Sequence, residues 1–311
     1  MPSIKDFGLM LEPQLGMSTP QLIETARLTE ELGFGYLFRS DHLLPTDGRR
    51  GIDSPECWTS LGAIATSTRT LRFGPMVTPV GFRNPALLAR MACTVHSLSG
   101  GRLQLAMGAG WYEAEYTANG YAFPEFSERL GQFREAFAIV SSLVREGRAD
   151  FEGRYFSAHT DCLPRPSGNL HMIIGTKSKP MIKLAARVAD EWNVLVSSPD
   201  GFRELKSVFD ATVGQRRVMV SEMGPFMIGR NEGELEASAR LQTSKLGQTI
   251  SPQELLKRIK GRNALCGTPE DFLEQTRAKL DAGIGRLYFQ TLVPENTSMI
   301  ELLADTLRGG L

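Results

Sequence analysis

Short apolar runs recur along the whole chain, separated by longer amphipathic segments. They lie near residues 8–11, 36–38, 71–77, 103–108, 171–175, 193–196, 217–220 and 287–290. Most are continuous rather than alternating, the pattern of strands covered on both faces. Strand runs that alternate with helical segments read as βα units and a parallel sheet. Eight such units predict a single TIM-type (β/α)8 barrel with insertions, although the pattern alone also accommodates an open doubly wound sheet.

Helix punctuation supports this reading. Thr19 reads as an N-cap, with Pro20 at the first helical position and Gly33 as the stop. Thr268-Pro269-Glu270-Asp271 repeats the device, with Asp271 completing a capping box and Gly283 as the stop. Asn84-Pro85 opens a third helix, whose Leu87, Met91 and Val95 form an i, i+4, i+8 apolar line. Two stretches break the rhythm. Residues 149–157 predict a small hairpin turning at Glu152-Gly153, and 223–264 reads as an insertion before the last βα unit. Nothing suggests a second domain.

Composition then narrows the function classes. Thirty-five basic residues balance thirty-five acidic ones in 311 residues, so charge gives no reason to expect nucleic acid or an acidic membrane surface as partner. The first ten residues do not read as a secretory signal, and no run approaches the roughly 18 apolar residues of a membrane span. A cytoplasmic protein is expected. The cysteines, Cys57, Cys93, Cys162 and Cys266, form no CxxC pair and read as buried thiols. His42, His96, His159 and His171 stand at no zinc-binding spacing, so no metal is expected.

In a barrel, chemistry belongs at the C-terminal ends of the strands. After the second strand come Asp41 and His42, a carboxylate beside an imidazole that can position a ring and move protons near neutral pH. A solvated loop with Asp41 bonded to backbone amides is the alternative. The third strand ends in Gly74-Pro75-Met76-Val77-Thr78-Pro79, a constrained backbone or an ordinary strand exit. The fourth ends in Gly108-Ala109-Gly110-Trp111-Tyr112. Glycines there admit a planar ligand, but Glu113 rules out a GxGxxG fingerprint. The fifth ends in Gly175-Thr176-Lys177-Ser178, before a helix expected over 181–189. It reads as a phosphate cradle or as a capped helix start with solvated lysines.

These segments, in this order, resemble the bacterial luciferase-like monooxygenase superfamily, and within it the deazaflavin (coenzyme F420)-dependent oxidoreductases. The matching text includes Ser40-Asp41-His42-Leu43, Phe82-Arg83-Asn84-Pro85, Leu98-Ser99-Gly100-Gly101-Arg102, Gly108-Ala109-Gly110-Trp111-Tyr112-Glu113, Ala189-Asp190-Glu191-Trp192-Asn193 and Gly267-Thr268-Pro269-Glu270, and it covers about residues 4 to 292. The resemblance implies a homodimeric barrel with the ring near Asp41 and His42, backed by a cis peptide at Pro75–Met76. It carries over Pro75, Met76, Thr78, Gly108, Ala109, Gly110 and Tyr116 as cofactor contacts, and Gly175, Thr176, Lys177 and Ser178 as the phosphate site. His42 is implied as proton donor or acceptor, with Asp41 orienting it or the ring. Relatives often carry histidine where this chain has Asn84 and Tyr116. Trp111 replaces the catalytic glutamate of the glucose-6-phosphate dehydrogenases, so sugar-phosphate oxidation is not expected. Two rivals stand beside F420 hydride transfer: an FMN-dependent monooxygenase fed by a separate reductase, and a non-catalytic flavin-binding protein. The substrate pocket is expected between the loops at 44–56 and 111–126 and the 223–264 segment. Phe82, Trp111, Tyr112, Tyr116, Tyr121 and Phe123 suggest aromatic walls.

Overall fold

Each of the eight apolar runs forms a strand in the computed structural model, which describes residues 3–166 and 168–310. In chain order the elements are β1 (Phe7–Leu11), α1 (Thr19–Glu31), β2 (Tyr36–Arg39), α2 (Cys57–Ser67), β3 (Arg72–Pro75), β4 (Thr78–Pro79), α3 (Pro85–Leu98), β5 (Gln104–Gly108), α4 (Glu113–Ala118) and α5 (Phe126–Arg145). The hairpin β6 (Arg148–Glu152) and β7 (Ser157–Asp161) follows, then β8 (His171–Gly175), α6 (Lys179–Val188), β9 (Glu191–Leu195), α7 (Pro199–Val213) and β10 (Met219–Ile228). The chain ends with α8 (Glu232–Lys245), α9 (Pro252–Gly261), β11 (Leu265–Gly267), α10 (Pro269–Asp281), β12 (Arg286–Thr291) and α11 (Thr297–Gly310).

The parallel strands run in the order β3-β2-β1-β12-β10-β9-β8-β5-β4. β3 and β4 are two pieces of one interrupted strand. β3 pairs with β2 and β4 pairs with β5, and a Phe73–Leu103 bridge joins the two sides, so the ring closes as a TIM-type barrel. Outward-facing side chains merge with the helices into one large core. Inward-facing Met10, Tyr36, Phe38, Met76, Ala106, Ile173 and Tyr288 fill the barrel itself.

The floor of the barrel is ionic. Glu191, fully buried, receives His171 Nε2 at 3.1 Å, Arg286 Nη1 at 2.7 Å and the Tyr288 hydroxyl at 2.8 Å. Arg286 also lies over the Tyr36 ring, 4.8 Å from its centre.

Several local expectations shift by a residue or a face. The first helix is capped by Ser18, not Thr19. Ser18 Oγ accepts from the Gln21 amide, which puts Pro20 at the second helical position. Thr268 with Asp271, and Asn84, cap their helices as read. On α3 the 87/91/95 line is buried only at its end: Leu87 is 53% exposed and Met91 half-buried, while Val95 joins Leu88 and Ala92 in facing the core.

β10 is longer than the 217–220 run, so the segment set aside from 223 begins with barrel strand. Two residues masked it. Glu222 is buried against Lys279 Nζ at 2.5 Å, and Pro225 sits mid-strand. That proline falls where β10 leaves β9, after Met223, and takes up β11, from Phe226, so its missing N–H costs the ladder little. Cys57, Cys93, Cys162 and Cys266 are free buried thiols. Among the described residues no helix is long and apolar enough to cross a membrane, and no group of three or more His, Cys, Asp or Glu could hold a metal ion.

Candidate active site

A cavity of about 630 Å³ opens at the C-terminal ends of the strands. One arc of its wall is backbone-rich: Val77 from the β3–β4 junction, Gly108, Ala109 and Gly110 after β5, and Gly175 to Ser178 after β8. The opposite arc is built of side chains: Met10 of β1 and Glu12 just after it, Gln290 of β12 and Leu292 just after it, Met223 from β10, and Leu246 and Gln248 after α8. The loops expected to wall the pocket contribute Thr46, Asp47, Trp111 and Phe126.

His42 sits between the two arcs. Its Nδ1 is 2.9 Å from Glu115 Oε1, and the other oxygen of Glu115 accepts the Leu43 amide at 3.0 Å. Glu115 is 1% exposed, held in place by the first turns of α4. Burial disfavours the His42 imidazolium, but the hydrogen bond and charge of Glu115 outweigh it, and the pKa rises. With Nδ1 taken, Nε2 is the ring nitrogen left for whatever occupies the cavity. Trp111 meets the imidazole edge-on, with ring centres 5.6 Å apart.

Asp41 does not orient His42. Both its oxygens are taken by Arg83, at 2.6 and 3.0 Å, and Oδ2 also accepts the Thr78 hydroxyl at 2.5 Å. Thr78 in turn accepts Trp58 Nε1 at 3.3 Å, and Arg83 reaches on to Glu56 at 2.7 Å. Burial pushes the Asp41 carboxyl above its ordinary value, and the Arg83 fork and the Thr78 hydroxyl oppose that rise. Asp41 thus touches the cavity as part of a closed ionic buttress. The orienting carboxylate is Glu115, which the sequence reading missed. Its partner lies 73 residues away, and no local pattern marks it.

The cis peptide is Met76–Val77, not Pro75–Met76. Val77 is wedged between two of the candidate glycines. A Cβ on Gly108 would strike one Val77 methyl, and a Cβ on Gly175 the other. These glycines therefore answer first to packing. Gly110 differs: its φ of +80° requires glycine, and a Cβ there would strike the Tyr116 hydroxyl.

In the cradle, Thr176 Oγ1 accepts the Ser178 amide at 2.9 Å and the Thr176 carbonyl accepts Trp192 Nε1 at 3.0 Å. Ser178 is the N-cap of α6, yet its hydroxyl makes no capping bond and the first turn holds no acid. With Lys177 and Ser178 lining the cavity, this helix start has the chemistry of an anion site.

Pro75, Thr78 and Tyr116 stand outside the cavity wall. Tyr116 is 1% exposed and packs behind it on Phe82 and Phe123, with ring centres 4.6 and 5.1 Å away. Tyr121 joins that cluster at 5.2 Å from Phe82. Of the six aromatic residues expected as walls, only Trp111 lines the cavity, so its surface is more aliphatic than anticipated. Asn84 is a helix cap, its Oδ1 accepting the Ala86 and Leu87 amides at 2.9 and 3.3 Å.

Glu12 was also missed, because the exit of the first strand carries no neighbouring titratable group to draw notice. Its Oε2 accepts Gln14 Nε2 at 2.6 Å, and its Oε1 accepts the Gln290 side-chain amide. Gln14, fully buried, is fixed by the Ser40 hydroxyl at 2.5 Å.

Comparison with known proteins agrees with this geometry. The profile of the luciferase-like monooxygenase family matches residues 6–286. The F420-dependent glucose-6-phosphate dehydrogenase of Amycolatopsis mediterranei (strain U-32) is 30% identical over 171 residues, 54% of this chain and 51% of that protein. The chain spans about half the length of the several curated relatives that match at this level. The coenzyme F420-dependent tetrahydromethanopterin reductase of Methanopyrus kandleri superposes with a TM-score of 0.77 at 20% identity, covering 97% of both chains. A monooxygenase from Streptomyces bottropensis superposes with a TM-score of 0.82 at 20% identity, covering 97% of this chain and 98% of that one. Likeness at such identity carries the barrel and leaves the cofactor to the site.

Proposed function

The chain belongs to the luciferase-like monooxygenase family, and from that premise we propose that it is an F420-dependent oxidoreductase exchanging a hydride with a small organic substrate. One observation carries the reading. A single cavity joins an imidazole with a free Nε2 to an open helix N-terminus bearing Lys177 and Ser178. Lys177, Ser178 and the first-turn amides of α6 hold the cofactor phosphate, and Val77, Ala109 and Gly110 lie against the ring. Bound there, the deazaflavin supplies two-electron hydride chemistry, since carbon replaces nitrogen at its reactive ring position. The protein's part is placement and proton handling. Glu115 fixes the His42 ring, so the proton moves at Nε2, and the exposed Trp111 covers the imidazole edge.

The kinship with F420-dependent dehydrogenases supports this cofactor. Sugar-phosphate oxidation is not proposed, because Trp111 stands in place of the required acid. Titration with F420 and with FMN, followed by turnover with and without oxygen, tests the reading. F420 binding with oxygen-independent turnover is expected. Binding of FMN alone, with oxygen consumption and a need for a separate reductase, overturns it. The same proposal includes a cytoplasmic homodimer. Leu87 and Leu98, 53% and 55% exposed, lie about three turns apart on α3 and suit a subunit contact, which light scattering checks.

A further inference from the structure

The side-chain arc of the cavity holds groups that the cofactor contacts leave unused, and its chemistry is selective. Glu12 is gripped by two amides, one on each oxygen, and among the described residues it has no ion-pair partner. A carboxylate offers about four acceptor positions, so lone pairs remain on both oxygens after the two amide bonds. Glu12 precedes a 3-10 turn at Pro13–Leu15 but makes no capping bond there, so those lone pairs are not spent on backbone. The cations near this arc are already committed. Arg49 is held by Asp47 at 2.7 Å and by the Lys245 and Leu15 carbonyls at 3.1 and 3.3 Å. Lys245 is paired with Glu295 at 2.6 Å. Met10, Leu15, Met223, Leu246 and Leu292 give this arc its apolar surface.

Resting on the cofactor assignment above, we infer that the substrate is a compact, mainly apolar molecule docked on Glu12 through a hydrogen-bond-donating handle, a hydroxyl or a protonated amine, and that carboxylated and phosphorylated substrates are refused. An anion on this arc would meet Glu12 while the nearby Arg49 and Lys245 are already held by Asp47 and Glu295, and its own oxygens could not donate to Glu12. A hydroxyl or ammonium meets a preorganised acceptor whose supporting amides are themselves fixed. Lys177 lies on the opposite arc, in the phosphate cradle, and His42 stands between the two arcs, where its Nε2 serves the reacting centre.

A matched set of probes on one ring tests this: cyclohexanol, cyclohexylamine (protonated at neutral pH), cyclohexanecarboxylate and cyclohexyl phosphate. Binding to the cofactor-loaded protein is read by ligand-observed saturation-transfer NMR. The amine and the alcohol are expected to bind at least about tenfold more tightly than either anion, a difference of one decade in Kd. Glu12→Gln keeps the shape and removes the charge. It should weaken the amine by about tenfold, bring the carboxylate up toward it, and move the alcohol least. Anions binding as tightly as the amine to the unaltered protein overturn the inference, with no variant needed. So does an unchanged ranking in a Glu12→Gln protein that still takes up cofactor. Cofactor identity is scored separately by the F420 and FMN titrations. If FMN is the one that binds, the ranking is measured on the FMN-loaded protein and stands or falls alone.

Discussion

The two ends of the barrel use the same kind of group, a carboxylate buried or half-buried among the strands, in opposite ways. At the floor, Glu191 is closed: an imidazole, a guanidinium and a phenol satisfy it. At the mouth, Glu115 holds His42 by one nitrogen and leaves the other free, while Glu12 is steadied by neutral amides and keeps acceptor capacity. The difference separates stability from chemistry better than depth does, in keeping with the division between the two faces of such barrels. Asp41 proves the point. It lies at the mouth, yet Arg83 and Thr78 close it as firmly as the floor closes Glu191.

The comparison breaks first if Asp41 is misassigned. Arg83→Ala should strand a buried carboxylate and cost about 3–5 kcal/mol in chemical denaturation, with Asp41→Asn less damaging in the Arg83→Ala background than alone. Additive losses would release Asp41 from the buttress. Next, His42→Ala should leave F420 affinity within a few-fold and slow turnover by roughly 10²–10⁴-fold in steady-state assays. Unchanged turnover removes His42 from the mechanism. Third comes Glu115→Gln. Glu115 raises the His42 pKa above its unfolded value of about 6.5, so the imidazolium contributes stability that is full below that pH and fades as pH rises through the folded pKa. Without the Glu115 charge, burial drives the pKa down against the weaker pull of Glu12 and Asp41. The variant should therefore trail the parent in Tm more at about pH 6 than at about pH 8, and any pH limb in kcat owed to His42 should move acidward. The smallest effect belongs to Asn84→Ala, which removes only a cap. It should cost about 1 kcal/mol and leave cofactor titration unchanged.

The barrel was legible because its signal is periodic and local. Continuous apolar runs mark strands, and the Asn84-Pro85 and Thr268-Pro269 caps mark helix starts. β10 was half hidden because Glu222 is satisfied by a lysine 57 residues on, and nothing nearby announces that partner. The site was legible in its backbone and opaque in its pairings. Lys177, Ser178 and His42 could be found from strand exits. Assigning the orienting role to Asp41 rather than Glu115 followed from adjacency in sequence, whereas Asp41 is turned toward an arginine 42 residues away. Gly108 was read as room for a planar ligand and Gly175 as part of a phosphate cradle. Gly108 and Gly175 in fact make room for Val77, a packing demand that single positions cannot disclose.

That wedge ties three positions on three different strand exits into one inherited unit. A lineage can gain a side chain at Gly108 or Gly175 only after it has trimmed Val77, and one that enlarges Val77 must keep both glycines bare. Substitutions here should arrive in a fixed order rather than at random, and a mutational library meant to reshape this wall has to vary the three together.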